Sequence, residues 1–324
     1  MDHLMKLWPI VWVLLQPITT QEIFSVAPMD VSKDTFDDQY IGCRDQVDLL
    51  MEEILKTEKS ENKFFRRAWT EAEKIWNIKK NKIWSELPDG FRDNHGVALV
   101  AYSGFIKTYF DEAIISAGRS YNDYMQSFKY KSLHFYLSVA VQLLSGCRAK
   151  MVYVGIKGLW YPTNSTSDGV KFGHFVTTYS EKEQAMDSGN DTVLYIQSCH
   201  GVQMEMFSQF PHERAVLVPG YEIFSVYEGE PNEFVLISTK KSCSKFNCAL
   251  IRGERPLGCA PYSGETPRIS SSATRDLPFN LIITAVSLLL GPQLLRLPTS
   301  EINFLFLLLV LWPLPVRADE VDIM

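Results

Sequence analysis

The sequence predicts an α+β fold, with a helical part over about residues 44–146 and a β-rich part over about 151–250. Three observations predict it. Up to Gly146 the apolar residues recur at helical spacing, with Lys and Glu on the opposite faces. After Cys147 they fall into short runs rich in Val, Ile, Phe, Tyr and Thr, punctuated by turn residues. With 324 residues, 46% of them hydrophobic and 12% aromatic, the chain can bury a full core.

Taken in order, residues 1–21 read as a signal peptide: Lys6 precedes the apolar run Leu7 to Leu15, and polar residues Gln16 to Gln21 follow. An ordinary first helix or a membrane anchor is the rival reading, but the run is well short of the ~20 residues that span a bilayer. Val47, Leu50, Met51, Ile54 and Leu55 form one helical stripe, and Phe65, Ala68, Trp69, Ala72, Ile75 and Trp76 a second. Pro88-Asp89-Gly90 marks a turn. Further helix is expected over Val97 to Tyr102, Phe105 to Ile115 and Tyr121 to Leu144. The last carries a stripe of Leu133, Tyr136, Leu137, Ala140, Leu143 and Leu144. Strands are expected at Met151 to Ile156, Phe172 to Tyr179, Thr192 to Cys199, Ala215 to Val218, Tyr221 to Val226 and Phe234 to Ser238. There is no internal repeat, and no P-loop, GxSxG, HExxH or GxGxxG motif.

The net charge of −6, from 32 Lys+Arg against 38 Asp+Glu, argues against a nucleic-acid partner while leaving room for a nucleotide as a small ligand. Six cysteines, Cys43, Cys147, Cys199, Cys243, Cys248 and Cys259, all follow the leader, and an even count in a secreted chain points to disulfides. No CxxC pair and no histidine spacing suggests a metal. The sequons at Asn164 and Asn190 agree with a secretory route. Over residues 261–324 a polar linker gives way to the apolar runs Leu277 to Leu290 and Ile302 to Leu314. With the small residues Ser270 to Ala273 ahead of them, these resemble a lipid-anchor signal. A second attachment site near Ser300 and an uncleaved transmembrane helix remain as alternatives, although Gly291-Pro292 and Arg296 interrupt the tail.

On residue type alone, the stretch most suggestive of chemistry is Phe207-Ser208-Gln209-Phe210-Pro211-His212-Glu213-Arg214-Ala215, a polar loop feeding a strand. Glu213 stands there as a lone carboxylate between His212 and Arg214; a solvated turn with ordinary charges is the commoner identity of such a stretch. His95, His134, His174 and His200 read equally well as structural histidines.

Several segments, in order along about residues 36–260, resemble the vertebrate arginine-specific ecto-mono-ADP-ribosyltransferases. They are Phe36-Asp37-Asp38-Gln39-Tyr40 with Cys43, then Phe91-Arg92-Asp93-Asn94-His95-Gly96-Val97-Ala98-Leu99 with Ala101-Tyr102, and Lys131-Ser132-Leu133-His134-Phe135-Tyr136-Leu137 with Gln142-Leu143-Leu144. Phe172-Gly173-His174-Phe175, Val216-Leu217-Val218-Pro219 and Phe246-Asn247-Cys248 complete the set. The resemblance implies an ectodomain over 22–260 with a mixed β-sheet core of the ADP-ribosyltransferase type. It implies NAD as donor substrate rather than prosthetic group, arginine side chains of extracellular proteins as acceptors, nicotinamide as leaving group and no metal. It also implies Cys43–Cys248 and Cys147–Cys199, leaving Cys243–Cys259 as the third pair. The leader and the tail together predict a location at the extracellular face of the membrane on a lipid anchor, or secretion.

The site residues also come from the resemblance. The family's aromatic-Arg-Gly strand corresponds to Tyr153-Val154-Gly155, its Ser-x-Ser to Thr177-Thr178-Tyr179 and its Glu-x-Glu to Glu213-Arg214-Ala215. Val154, Gly155, Phe175 and Tyr179 therefore stand at NAD-binding positions, and Thr177, Glu213 and Ala215 at catalytic ones. Val154 replaces the phosphate-holding Arg, Tyr179 a small hydroxyl residue and Ala215 the ribose-handling Glu. On an extended chain Lys150 is ~13 Å from Val154, and Glu213 ~7 Å from Ala215, poor geometry for either to substitute. Two expectations stand side by side: a transferase of ADP-ribose to arginine, and a catalytically impaired surface pseudoenzyme that acts by binding or display.

Overall fold

The structure, a computed structural model, describes residues 35–147, 150–158, 169–253 and 257–261, the last for the backbone only. The proposed signal peptide, Asn164 and the tail beyond residue 261 lie outside the described residues.

Helix α1 (Arg44–Glu61) buries Val47 and Met51, and α2 (Lys63–Ile83) buries Phe65, Ala68, Trp69, Ala72 and Trp76, the 3–4 spacing read from the sequence. Asn62 separates them and caps the second, its Oδ1 accepting from Phe65 N at 3.0 Å. Helix α3 (Asp93–Tyr102) is the central rod: every residue from His95 to Tyr102 is buried, and it packs on α2 and on the helix over Lys131–Leu144. Helix α4 (Ile106–Ala117) turns Ile106, Phe110 and Ile114 inward.

Where the sequence predicts one helix from Tyr121 to Leu144, the structure has two, α5 (Tyr121–Ser127) and α6 (Lys131–Leu144). Phe128 is extended and buried between them. The break is held from far away. The Glu58 carboxylate accepts from Lys131 N at 2.6 Å, Ser132 N at 3.0 Å and Ser132 Oγ at 2.5 Å, satisfying donors that a new helix start exposes. No local signal announces a cap supplied 73 residues upstream.

The β half comprises β1 (Lys150–Ile156), β2 (Val176–Tyr179), a short helix α7 (Lys182–Met186), β3 (Thr192–Ser198), β4 (Val202–Gln203), β5 (Ala215–Val218), β6 (Glu222–Glu228), β7 (Glu233–Ser244), α8 (Ala249–Arg252) and β8 (Leu257–Pro261). They form one mixed sheet in the order β4-β5-β2-β1-β3-β7-β6, with β8 on β7; the β3–β7 pair is parallel and the others antiparallel. Strand β2 starts four residues later than expected, because Gly173 takes φ +76° and its N–H bonds Gly220 O at 2.8 Å, a turn in place of a strand. Strand β7 outruns its expected Phe234–Ser238 because β3, β6 and β8 all pair with it.

Both faces of the sheet are covered, which is why β5 reads as an unbroken apolar run. Ala215 and Leu217 join the helical core, with Phe175, Val202 and Met204. Val216 and Val218 join a second core with Val152, Leu194, Ile196, Phe224 and Leu236.

The N-terminal segment is clasped by the loop after β7. Cys43–Cys248 bridges a separation of 205 residues, and Cys147–Cys199 ties the end of α6 to the end of β3. Cys243 is disulfide-bonded as well. The side chain of Cys259, its expected partner, lies outside the described residues, while the backbone register sets Ser242 opposite Ala260. Asp38 accepts from the backbone N–H of Tyr40, Cys248 and Ala249 at 2.8–2.9 Å, and Asp37 pairs with buried Lys171. Among the described residues no helix is long and apolar enough to cross a membrane.

Candidate functional site

The strand register brings together the three segments that the resemblance matches to the family motifs. Across the sheet, Tyr153 on β1 stands opposite Tyr179 on β2, and Tyr179 opposite Ala215 on β5. Thr177 and Leu217 form the next pair on the same face. Val154, Gly155, Phe175, Thr177, Tyr179, Glu213 and Ala215 all line one cavity of about 490 Å³. That volume is within the ~300–1,000 Å³ typical of small-molecule clefts. Other parts of the wall come from the helical half, through Tyr102, Ser103 and Lys107, and from the sheet side, among them His174, Ser188, Met204, Ser208 and Phe210.

Each position has a local cause. Gly155 allows α7 and its following turn to cross β1: a Cβ there would lie 2.1 Å from Gly189 O and 2.4 Å from Ala185 O. Phe175 is buried against Tyr102 and Phe110. Thr178, facing away from the cleft, donates to Val216 O at 2.9 Å and pins β2 to β5. Val154 is half-buried, lines the cleft and packs against the second core.

The Glu213 segment is not extended. Pro211–Glu213 makes a turn of 3₁₀ helix and Arg214 is left-handed, φ +45°, so Glu213 and Ala215 are set by a tight corner. This corrects the extended-chain spacing taken from the sequence. Both residues line the cleft, while exposed Arg214 turns to Glu181 at 3.1 Å. The loop is anchored through Gln209, whose N–H donates to Ser103 Oγ at 3.0 Å and whose Nε2 donates to Val100 O at 3.1 Å. Lys150 lies elsewhere, in a separate cavity with Glu86, Val152 and Ser198.

Sequence reasoning did not single out the helical wall. Tyr102 hydroxyl lies 3.0 Å from Phe175 O and 3.3 Å from Asp111 Oδ1, and Lys107 Nζ is 2.9 Å from Asp111 Oδ2. Burial pushes the Asp111 carboxyl up, against the pull of Lys107 and His174, and pushes the Tyr102 phenol up. His174 donates from Nδ1 to Phe172 O at 3.1 Å, and burial lowers its pKa. The i, i+4 spacing of Lys107 and Asp111 was the available signal, but on a helix it marks any surface pair. Burial also lowers His95 and His134 to about 3 and His200 to about 4, as for neutral histidines in a core. His134 is bonded to Tyr40 OH at 2.8 Å and His95 to Arg92 N at 3.0 Å. No group among the described residues is placed to hold a metal ion.

The profile of the NAD:arginine ADP-ribosyltransferase family matches residues 29–244. The chain belongs to this family. It is 32% identical to ecto-ADP-ribosyltransferase 5 of Rattus norvegicus over 285 residues, 84% of this chain and 90% of the relative. It is 36% identical to ecto-ADP-ribosyltransferase 3 of Homo sapiens over 266 residues, covering 77% of this chain and 67% of that one. The crystal structure of the eukaryotic mono-ADP-ribosyltransferase ART2.2 superposes with a TM-score of 0.60 at 35% identity, covering 68% of this chain and 97% of that one. A variant of that enzyme has been solved in complex with NAD, and matches with a TM-score of 0.61. The helical half followed by a mixed sheet is thus the architecture of the family, and NAD is the donor substrate on which the family is defined.

Proposed function

We propose that this protein is a surface member of the NAD:arginine ADP-ribosyltransferase family that keeps the cleft but turns over NAD very slowly, and acts by binding or display. The observation that carries the reading is the cross-strand pair Tyr179–Ala215. Family resemblance puts a small hydroxyl residue and the ribose-handling carboxylate at these positions. Here a phenol faces a methyl group, so bulk has moved from one strand to the other.

The chemistry follows from the charges. Cleavage of the bond between ribose and nicotinamide builds positive, oxocarbenium-like charge at the anomeric carbon. A carboxylate fixed beside that carbon lowers the barrier, and losing one such electrostatic contact commonly costs ~10²–10³ in rate. Ala215 removes it. Val154 also takes away the cation that would hold the phosphates, and its side chain packs with the second core instead. The residues present therefore leave a cleft of small-molecule size without the charges that the donor's reacting centre calls for. Glu213, at the acceptor-side position, is retained in the cleft wall.

The ectodomain over 22–260, the signal peptide over 1–21 and removal of the tail after Ser270 in favour of a lipid anchor belong to the same proposal. The relatives support the last point: they are named ecto-enzymes, and one from Mus musculus, 31% identical, is named GPI-linked. Extracellular proteins presenting arginine are the partners this reading favours, and exposed Asn190 is available for a glycan.

Nicotinamide release by the mature protein purified from expressing cells tests the central statement. Release no faster than solvent hydrolysis is expected, and arginine-dependent release at a rate that rises with protein concentration contradicts it. Phosphatidylinositol-specific phospholipase should free the protein from those cells. Retention with Met324 still detectable contradicts the anchor.

A further inference from the structure

With Val154 on β1, the charge of the cleft is set by its other walls. Among the described lining residues, Lys107 and Glu213 are the side chains carrying charge at neutral pH, since burial keeps His174 neutral. Lys107 sits in the first turn of α4 on the helical wall. Its ammonium is 5.7 Å from the centroid of the Tyr102 ring and 2.9 Å from Asp111 Oδ2. Asp111 is itself held, with the Tyr102 hydroxyl 3.3 Å from its other oxygen. Lys107 is 38% exposed against 15% for Asp111, so the acid lies behind and the ammonium faces the opening. An ammonium has three donors, and the contact with Asp111 uses one of them.

We propose that Lys107 is the anion-binding residue of this cleft, contacting a phosphate group of a nucleotide from the helical wall, with Asp111 and Tyr102 as positioning residues. The inference rests on the reading of the cleft as retained but slow. It names the class of ligand: a nucleotide or dinucleotide carrying phosphate, bound with its anion against α4 instead of β1. A phosphate drawn to that wall displaces the attached ribose from the β2–β5 pair at which the family performs its chemistry, so binding is uncoupled from turnover. The aromatic surfaces of Tyr102, Phe175, Tyr179 and Phe210 line the same space and suit a stacked base.

The test is calorimetric titration of the mature protein with ADP-ribose, adenosine and nicotinamide, for the natural sequence and for Lys107→Met, Lys107→Arg and Asp111→Asn. ADP-ribose should bind at least tenfold more tightly than adenosine, and Lys107→Met should bring it to the level of adenosine without changing adenosine itself. Lys107→Arg should restore most of the difference, which a merely folded-state defect would not allow. Asp111→Asn keeps an amide oxygen toward Lys107 while removing a negative charge, so ADP-ribose should bind more tightly. Equal binding of ADP-ribose by the natural protein and Lys107→Met overturns the proposal, as does a natural protein that does not bind ADP-ribose. Nicotinamide release from NAD, measured on the same preparations, separates the two readings: turnover by the natural protein contradicts the slow-cleft reading and leaves the Lys107 contact to be judged by titration.

Discussion

The Tyr179–Ala215 pair should behave as one unit, and a double-mutant cycle exposes it. In an antiparallel pair the two Cβ atoms stand ~4.5–5.5 Å apart, so neither side chain can change size without meeting the other. Ala215 is 5% exposed. Ala215→Glu alone forces a longer, charged side chain under the phenol, an overpacking cost of about 1–3 kcal/mol before the desolvation of its carboxylate. Tyr179→Ser alone strips a half-buried ring from the helical core, at a cost of about 1–2 kcal/mol. Together the carboxylate occupies the space the ring has left, beside a serine hydroxyl that can donate to it. The double variant is expected to be more stable than the sum of the singles by about 1–3 kcal/mol, in the range of contacting residues. Urea denaturation of the four proteins measures this. Additivity within about 0.5 kcal/mol would mean that the two side chains do not share the cleft, and the steric account of the substituted motifs would fall.

Three further outcomes follow. Glu58→Gln, which leaves one carbonyl oxygen for three donors, should cost about 2–3 kcal/mol and loosen the start of α6; a loss under about 0.5 kcal/mol in urea denaturation contradicts the long-range cap. Replacing Cys43 and Cys248 by Ser opens a closure of 205 residues and should cost roughly 5 kcal/mol in the loop-entropy picture, read as a lowered melting temperature under non-reducing conditions. For Asp38, burial raises the folded pKa from 3.8 to about 6 against its three backbone donors. The stability it contributes is therefore complete below the unfolded pKa and is lost as pH rises through about 6. The buried histidines His95, His134 and His200 act in the opposite sense, losing stability as pH falls below the unfolded value of 6.5. Asp38→Asn should thus steepen the loss of stability between pH 6 and pH 4 by up to about 1.4 kcal/mol per pH unit, and an unchanged slope contradicts the assignment.

The division into helices and strands was legible in periodicity, because α2 buries one stripe and β5 is covered on both faces, although α6 is buried all round from Ser132 to Val141 and not only along its predicted stripe. The break at Phe128–Tyr130 was not, since its cause is a carboxylate on another helix. Nor was the turn at Gly173, whose partner Gly220 is distant in sequence. The β-side of the cleft was readable through the spacing of Val154, Thr177, Tyr179, Glu213 and Ala215, which family resemblance set in register. The helical side was not, because Lys107, Asp111 and Tyr102 look like ordinary surface and core residues until the sheet is laid against α3 and α4.

The central claim is that the fold and cleft are intact while the charges that drive NAD cleavage have been replaced. The direct measurement is nicotinamide release by the natural protein beside the variant carrying Val154→Arg, Tyr179→Ser and Ala215→Glu, with an arginine acceptor present. The account predicts release near the solvent background from the natural protein and at least ~10²-fold faster release from the triple variant. Equal rates from the two, or rapid turnover by the natural protein, would contradict it.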